Sequence, residues 1–270
     1  MSTTVVVCQP RHSLVNVATD AAMYRQDQSV VAFGSKVAPI AHWPGCVTGL
    51  GNAAAVPLFA WQLAQQFASW DEMVANGADA MSRLADITES YGLNHASVLL
   101  AGISAQRGPE AYTFQTTVEL PPGTTREEAE ASPYFQPAYV LTKLPDVIMS
   151  PVTPPEISIA AAYEGIDTNA DPETVVWSIR KVLAMQRAMP LPDGIGGIGG
   201  WAELTTVGAD SVTQRVIERW PNDKTGAPLH HGPIDWDKWH ADSPKPGMSR
   251  LKREMLARKA KKSQFHLVKQ

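Results

Sequence analysis

The chain has 270 residues, of which 44% are hydrophobic and 19% are charged. It is therefore long enough to bury the core of one large domain, or of a domain of about 200 residues with appendages. Its formal net charge of -4 gives no overall attraction to nucleic acid or to an acidic membrane surface. No stretch reaches the roughly 20 consecutive apolar residues of a membrane span, and no signal peptide is evident. We expect a cytoplasmic protein that binds neither membrane nor nucleic acid.

The residue pattern in the first fifth of the chain predicts β-strands. Residues 3–8 and 14–18 are β-branched runs on either side of a proline-containing turn, which is typical of a hairpin. Short apolar runs predict further strands at 29–33, 37–40 and 45–48. The sequence thus opens with a β-rich layer.

Two helices are predicted next. Gly49–Gly51 breaks the strand pattern, and the alanine-rich segment 53–68 suits a helix that is buried on most of its faces. Ser69 and Glu72 have the spacing of a capping box, and the apolar residues over 70–87 keep a 3.6-residue period. This pattern predicts one continuous second helix, and we expect both helices on the same face of a sheet.

The remainder of the globular region returns to strands and helices. Their order predicts an α+β protein with two stacked antiparallel sheets flanked by helices, a four-layer αββα sandwich within residues 1–220. In chain order, we predict a hairpin of 97–103 and 111–117, a proline-rich surface excursion over 120–155, helices near 157–163 and over 171–189, and a last hairpin of 201–207 and 211–220.

The C-terminal part has a different composition. Residues 221–247 form a linker rich in Pro, Gly, His and Trp, and residues 248–270 form a basic tail. The tail is either an amphipathic helix that docks on a protein partner or an acidic surface, or a solvated segment. It lacks the interleaved aromatic residues that bind single-stranded nucleic acid. Neither the histidines nor the two cysteines have metal-ligand spacing, so we expect no metal or cofactor.

Several short motifs follow one another along the chain: Thr3–Val7, Val17–Asp20, Ser35–Val37, Gly49–Asn52, Leu100–Ile103 with Gly108–Tyr112, and Gly199–Leu204. In this order they resemble proteasome-type N-terminal nucleophile hydrolases, a family that includes proteasome β subunits and the bacterial proteasome-like peptidase. The chain resembles in particular a divergent branch found in phage and prophage genomes. The resemblance implies that family's fold, a peptide or amide substrate and a homo-oligomer, which would be virion-associated if phage-encoded.

Enzymes of this class use the hydroxyl of their first residue as nucleophile and the adjacent free α-amine as general base. Three residues compete for this role: methionine removal exposes Ser2, strand register favours Thr3, and the family's spacing favours Thr4. The resemblance implies that Lys36 lowers the effective pKa of the hydroxyl and that Asp20 keeps Lys36 charged and oriented.

The backbone N–H of Leu50 or Gly51 would bind the oxyanion. The glycine turn and the Lys36–Asp20 pair each have a simpler interpretation. A glycine turn commonly joins a strand to a helix, and a Lys–Asp pair is often only structural.

One motif departs from the family pattern. Catalytic members have a serine just before the pair that matches Gly199–Gly200, and an aspartate three residues before that serine. Here these positions are Ile198 and Ile195, and Asp193 is displaced by two residues. Two functions therefore remain open: a peptidase that forms an acyl-enzyme, and a catalytically silent subunit that keeps the fold for self-assembly, for example in a phage particle.

Overall fold

The structure is a computed structural model that describes residues 3–25, 29–93, 96–118, 123–131, 137–150, 166–188, 197–229 and 237. No helix within these ranges is long and apolar enough to cross a membrane. The strands are β1 (Thr4–Gln9), β2 (Leu14–Asp20), β3 (Ala22–Tyr24), β4 (Val30–Phe33), β5 (Val37–Pro39), β6 (Gly45–Leu50), β7 (Ser97–Ser104), β8 (Gly108–Gln115), β9 (Thr142–Lys143), β10 (Val147–Ser150), β11 (Trp201–Val207) and β12 (Val212–Arg219). The helices are α1 (Ala55–Gln66), α2 (Trp70–Ala75), α3 (Gly77–Tyr91), α4 (Arg126–Glu130) and α5 (Pro172–Ala188).

The strands form three antiparallel sheets. The first has the order β10-β1-β2-β11-β12, the second has the order β5-β6-β7-β8-β9, and β3 pairs with β4 alone. The N-terminal strand β1 is an interior strand, since Thr4 is paired with Thr19 of β2 on one side and with Ser150 of β10 on the other. The α+β class predicted from the sequence is confirmed.

Strand β1 contributes side chains to both faces of the first sheet, as the two-residue alternation of a strand requires. Val5 and Val7 belong to an apolar cluster that includes residues of α5. Val6 and Cys8 belong to a different cluster, which includes Cys46 and other residues of the second sheet. The first sheet therefore packs against α5 on one face and against the second sheet on the other.

Helices α1, α2 and α3 cover the second sheet. Phe59 of α1, Trp70 of α2 and Leu84 of α3 form one buried cluster with Phe114 of β8. Phe59 and Phe114 have ring centroids 5.9 Å apart, a separation at which aromatic rings attract each other. This packing confirms that the two predicted helical regions lie on one face of a sheet.

The prediction of one continuous helix after Ser69 is wrong, because the structure has two helices separated by Asn76. The start is as expected, since the Ser69 hydroxyl accepts a hydrogen bond from the Glu72 N–H at 3.1 Å. Asn76, however, leaves the helical conformation with φ -104° and ψ 34°, and its side chain donates to the Glu72 carbonyl at 2.8 Å. The apolar period continues across this break and conceals it in the sequence.

The region between β8 and α5 connects the two large sheets. Strand β9 pairs with β8 of the second sheet, whereas β10 pairs with β1 of the first sheet. The helix predicted near residues 157–163 lies outside the described residues. Helix α5 begins after Asp171 as predicted, where the Asp171 carboxylate accepts a hydrogen bond from the Thr174 N–H at 3.2 Å.

Packing continues beyond Trp220. Leu229 is buried against Ala22 and Val30, so the segment that follows β12 covers the β3–β4 hairpin. The Gly226 N–H donates to the Val30 carbonyl at 2.8 Å. Apart from Asp237, the rest of the predicted linker and the whole basic tail lie outside the described residues.

A buried carboxylate, Glu110 of β8, joins the second sheet to α2. It accepts hydrogen bonds from the Trp70 indole at 2.8 Å and from Arg107 Nη2 at 2.6 Å, and Lys143 Nζ lies 3.2 Å away. Burial alone would raise the pKa of Glu110, but these donors outweigh it and hold the pKa below the usual range. The ionised form of Glu110 therefore stabilises the folded state.

Glu110→Gln is expected to lower the free energy of unfolding at pH 7 by about 1–3 kcal/mol, because a charged acceptor of three donors is lost. The pKa of Glu110 is lower in the folded than in the unfolded state. Its contribution is therefore complete above the unfolded pKa and disappears as the pH falls through the folded one. Urea titrations between pH 7 and pH 3 should show the variant and wild type converging at low pH. A loss independent of pH would contradict this prediction, and exposed Glu89→Gln is the control.

Candidate active site

Asp20, the last residue of β2, is fully buried and receives donors from four segments of the chain. Its Oδ1 accepts from Lys36 Nζ at 2.7 Å and from the Thr3 N–H at 3.1 Å. Its Oδ2 accepts from the Ala22 N–H at 3.1 Å and from the Gly199 N–H at 3.2 Å. An ionised carboxylate has acceptor sites for all four donors. Asp20 thus connects Thr3 with Lys36, which precedes the second sheet, and with Gly199, which precedes β11.

Lys36 precedes β5 and has a side chain that is only 10% exposed. The Thr48 hydroxyl of β6 donates to the Lys36 carbonyl at 2.9 Å and fixes the backbone from which the side chain extends. Burial lowers the pKa of Lys36, although the charge and the hydrogen bond of Asp20 act in the opposite direction. Its ammonium therefore gives up a proton more readily than that of an exposed lysine. The structure brings Lys36 and Asp20 together, as the family resemblance implies.

Two of the three candidate nucleophiles lie in the described part of the chain. The Thr3 hydroxyl donates to the Gln186 side chain of α5. Thr4 follows it and lies within the ladder between β10 and β2. Ser2, the third candidate, lies outside the described residues.

A cavity of about 640 Å³ lies beside Lys36. Both candidate oxyanion donors, Leu50 and Gly51, line it together with Lys36. Gly51 has φ 103°, a conformation that glycine adopts without strain. A Cβ at Gly49 would lie 2.6 Å from the carbonyl oxygen of Ser97, so only glycine allows β6 and β7 to approach this closely. The other lining residues are Ala22, Met23, Tyr24, Ser35, Val37, Ala38, Gly49, Ala53, Val56 and Pro57.

The two cysteines do not offer a competing nucleophile. Cys8 and Cys46 are buried free thiols. Burial raises the pKa of each thiol to about 12, and the charges of Asp146 and Glu110 add to the effect at Cys8. Both are therefore protonated at neutral pH, and a protonated thiol is a poor nucleophile.

The Gly199–Gly200 turn is supported by residues that no sequence motif predicts. Arg187 of α5 donates to the Ile198 carbonyl at 2.5 Å and forms an ion pair with Asp223 at 2.8 Å. The Gly200 N–H donates to Asp223 Oδ2 at 2.7 Å. No motif links these residues, because the arginine and the aspartate come from distant segments that only folding brings together. Ile195 and Asp193 lie outside the described residues.

Comparison of the sequence with protein-family models gives no match, and no curated protein matches it. Among the described residues, no group of three or more His, Cys, Asp and Glu side chains is placed to hold a metal ion. The assignment of a function consequently depends on the geometry around Lys36 and Asp20.

Proposed function

We propose that the chain is an amide-bond hydrolase, a peptidase of the proteasome type, in which an N-terminal hydroxyl is the nucleophile. The observation that carries the proposal is the convergence on Asp20 of the Lys36 ammonium at 2.7 Å and the Thr3 N–H at 3.1 Å. This convergence places the backbone of Thr3 beside a lysine that lines a cavity. A purely structural ion pair does not require the cavity.

The proposed fold is the four-layer αββα sandwich of this class. Its support is the arrangement of three apolar clusters. One combines α1–α3 with the second sheet, one combines the two large sheets, and one combines the first sheet with α5. Layers in the order helices, sheet, sheet, helix account for all three clusters.

We assign the nucleophile to Ser2. Thr3 is an unsuitable first residue because its hydroxyl already binds Gln186 and its N–H binds Asp20. Thr4 is unsuitable because its backbone lies within the ladder that joins three strands. Cleavage of the bond before Ser2 gives that residue a free α-amine, whatever length of chain precedes it.

In the proposed reaction, the Ser2 hydroxyl attacks the carbonyl carbon of the substrate amide and its proton passes to the Ser2 α-amine. The backbone N–H of Leu50 or Gly51 binds the resulting oxyanion. The carbon–nitrogen bond then breaks, the α-ammonium protonates the leaving amine, and an ester remains on Ser2. Water hydrolyses this ester with the same amine as base. Lys36 stabilises the developing charge on the hydroxyl oxygen, and Asp20 orients Lys36.

The lining of the cavity supports a proposal for the class of substrate. Its walls are mainly apolar, with Met23, Leu50, Val56 and Pro57 among the residues that line it. A concave apolar surface beside a few polar groups favours an apolar side chain, with the polar groups fixing its orientation. We therefore propose that the acyl part of the substrate carries an apolar side chain, which occupies this cavity.

A β-lactone tests the proposal directly. Attack by a hydroxyl opens the lactone ring and forms an ester without a separate leaving group, so the intact mass increases by the whole mass of the lactone. We expect one adduct per chain, located by peptide mapping on the peptide that begins with Ser2. Ser2→Ala should lose this adduct, whereas Ser2→Thr, which keeps a hydroxyl, should retain it.

Two results would overturn the assignment: an adduct that persists in Ser2→Ala, or no adduct on a chain shown by mass to begin at Ser2. The second result would support the other candidate, a catalytically silent self-assembling subunit. The observation that favours this candidate is Ile198, which is buried at the position where catalytic members have serine. Sedimentation of such a protein as a homo-oligomer would support it, and a monomer would contradict it.

A further inference from the structure

A second buried ion pair lies close to Asp20. Arg187, near the end of α5, and Asp223, after β12, are 15% and 4% exposed at their side chains. Arg187 Nη1 lies 2.9 Å from Asp223 Oδ2, and Nη2 lies 2.8 Å from Oδ1. This two-bond geometry fixes the orientation of both groups more firmly than a single contact. The guanidinium also lies 4.5 Å from the centroid of the Trp220 ring, which favours a cation.

The ion pair contacts the turn before β11 at two points, one on each side of Gly199. Arg187 Nη1 donates to the Ile198 carbonyl at 2.5 Å, and Asp223 Oδ2 accepts from the Gly200 N–H at 2.7 Å. Gly199 lies between these two points. Its own N–H donates to Asp20 Oδ2 at 3.2 Å, and its carbonyl accepts from the Ala21 N–H at 3.2 Å.

The turn has no room for side chains at its two glycines. A Cβ at Gly199 would lie 2.2 Å from Leu229 Cδ1 and 2.9 Å from Asp223 Oδ2. Gly200 has φ 77°, and a Cβ there would lie 2.3 Å from the ring of Phe33. The turn is therefore packed tightly against the segment that carries Asp223. A displacement of the ion pair would consequently displace the Gly199 backbone, which contacts Asp20.

We propose that Arg187 and Asp223 are positioning residues: they hold the Ile198–Gly200 turn on Asp20, and through Asp20 they orient Lys36. This inference rests on the proposed function for its consequence in the reaction. The ion pair compensates for the isoleucine at position 198, since the turn is held through the Ile198 carbonyl and the Gly200 N–H rather than by a side chain of the turn itself.

The electrostatics support the proximity of the two carboxylates. Burial and the charges of Asp20 and Asp223 raise the pKa of Tyr24, and the charge of Arg187 acts in the opposite direction. Both carboxylates and the guanidinium therefore act on one neighbouring residue. Tyr24 belongs to β3 and lines the cavity, so the ion pair lies immediately behind the proposed substrate site.

The first test measures the position of the turn without reference to activity. In Asp223→Asn, hydrogen exchange at the Gly199 amide should accelerate about tenfold or more, because a hydrogen bond to a charged group is lost beside it. The Leu204 amide, in the centre of β11, should change little. Glu218→Gln is the matched control, because Glu218 pairs with Arg180 of the same helix but does not contact the turn. Arg187→Lys is the second variant, which keeps the charge but loses the two-bond geometry.

The second test measures the consequence for the reaction. The β-lactone should acylate Asp223→Asn and Arg187→Lys about 10–100-fold more slowly at saturation, since a small displacement of a catalytic group has an effect of this order. The concentration for half-saturation should remain unchanged, because neither residue lines the cavity. A residue needed only for stability would lower the folded fraction without changing the rate constant of the folded enzyme.

The outcomes separate this inference from the proposed function. If Gly199 exchange stays at the wild-type rate in both variants, the inference is wrong, whether or not the protein is acylated. It is also wrong if exchange accelerates but saturating acylation of an active protein is unchanged. If exchange accelerates and the wild type is never acylated, Arg187 and Asp223 do hold the turn on Asp20, and the proposed hydrolase activity is the part that fails.

Discussion

Replacement of Lys36 by methionine is expected to slow acylation by the β-lactone about 10²–10⁴-fold, the range found for loss of a positioned proton-transfer or charge-stabilising group. Methionine approximates the length of the lysine stem but carries no charge. The variant therefore leaves the cavity wall apolar while it removes the ammonium 2.7 Å from Asp20. The rate constant should be measured at saturating lactone on protein whose folded fraction is known.

Lys143→Met is the matched control for this variant. Lys143 also faces a fully buried carboxylate, because its Nζ lies 3.2 Å from Glu110, but it does not line the cavity. Its replacement should affect stability and leave acylation within about twofold of the wild type, as independent sites generally behave. Equal loss of acylation in the two variants would show that the rate follows global stability, and the catalytic role of Lys36 would be wrong.

Asp20→Ala is expected to have the largest effect on stability, a loss of about 3–5 kcal/mol in the free energy of unfolding, because it leaves a buried ammonium without its counter-charge. The three backbone donors of Thr3, Ala22 and Gly199 lose their acceptor at the same time. Denaturant titration at neutral pH measures this change.

The control for Asp20→Ala is Asp86→Ala on α3, where the side chain is exposed. Surface substitutions of this kind usually change stability by less than about 0.5 kcal/mol. A loss at Asp20 as small as that at Asp86 would contradict the view that Asp20 joins three parts of the fold.

The sequence predicted the elements whose residues carry local signals. β-branched runs predicted β1 and β2, and the Ser69 and Asp171 caps predicted the starts of α2 and α5. These predictions succeeded because strand periodicity and capping are determined by neighbours in the chain. The predicted end of β6 at residue 48 is wrong, because Gly49 and Leu50 remain paired with β7. The break at Asn76 was missed because an apolar period can continue through an interruption of the backbone.

For the candidate site, too, some residues were identified from the sequence and others only from the structure. The family resemblance indicated Asp20, Lys36 and the Gly49–Gly51 segment, and the structure places Lys36 beside Asp20 and beside the cavity that this segment lines. The choice among the candidate nucleophiles could not be made from spacing. Our proposal for the nucleophile uses the hydrogen bond from Thr3 to Gln186, which joins residues that are 183 positions apart in the chain.

The sequence by itself determined the α+β class and the order of most elements, and the resemblance of its motifs to a known family indicated the Lys36–Asp20 pair. Only the tertiary structure decided how that pair is supported, through the Thr3 and Gly199 N–H groups and the Arg187–Asp223 ion pair behind them. The physical reason is that these supporting contacts are made by backbone groups and by single charged residues far apart in the chain. Backbone donors have no residue-type signature, and a lone arginine or aspartate becomes informative only when folding shows what it faces.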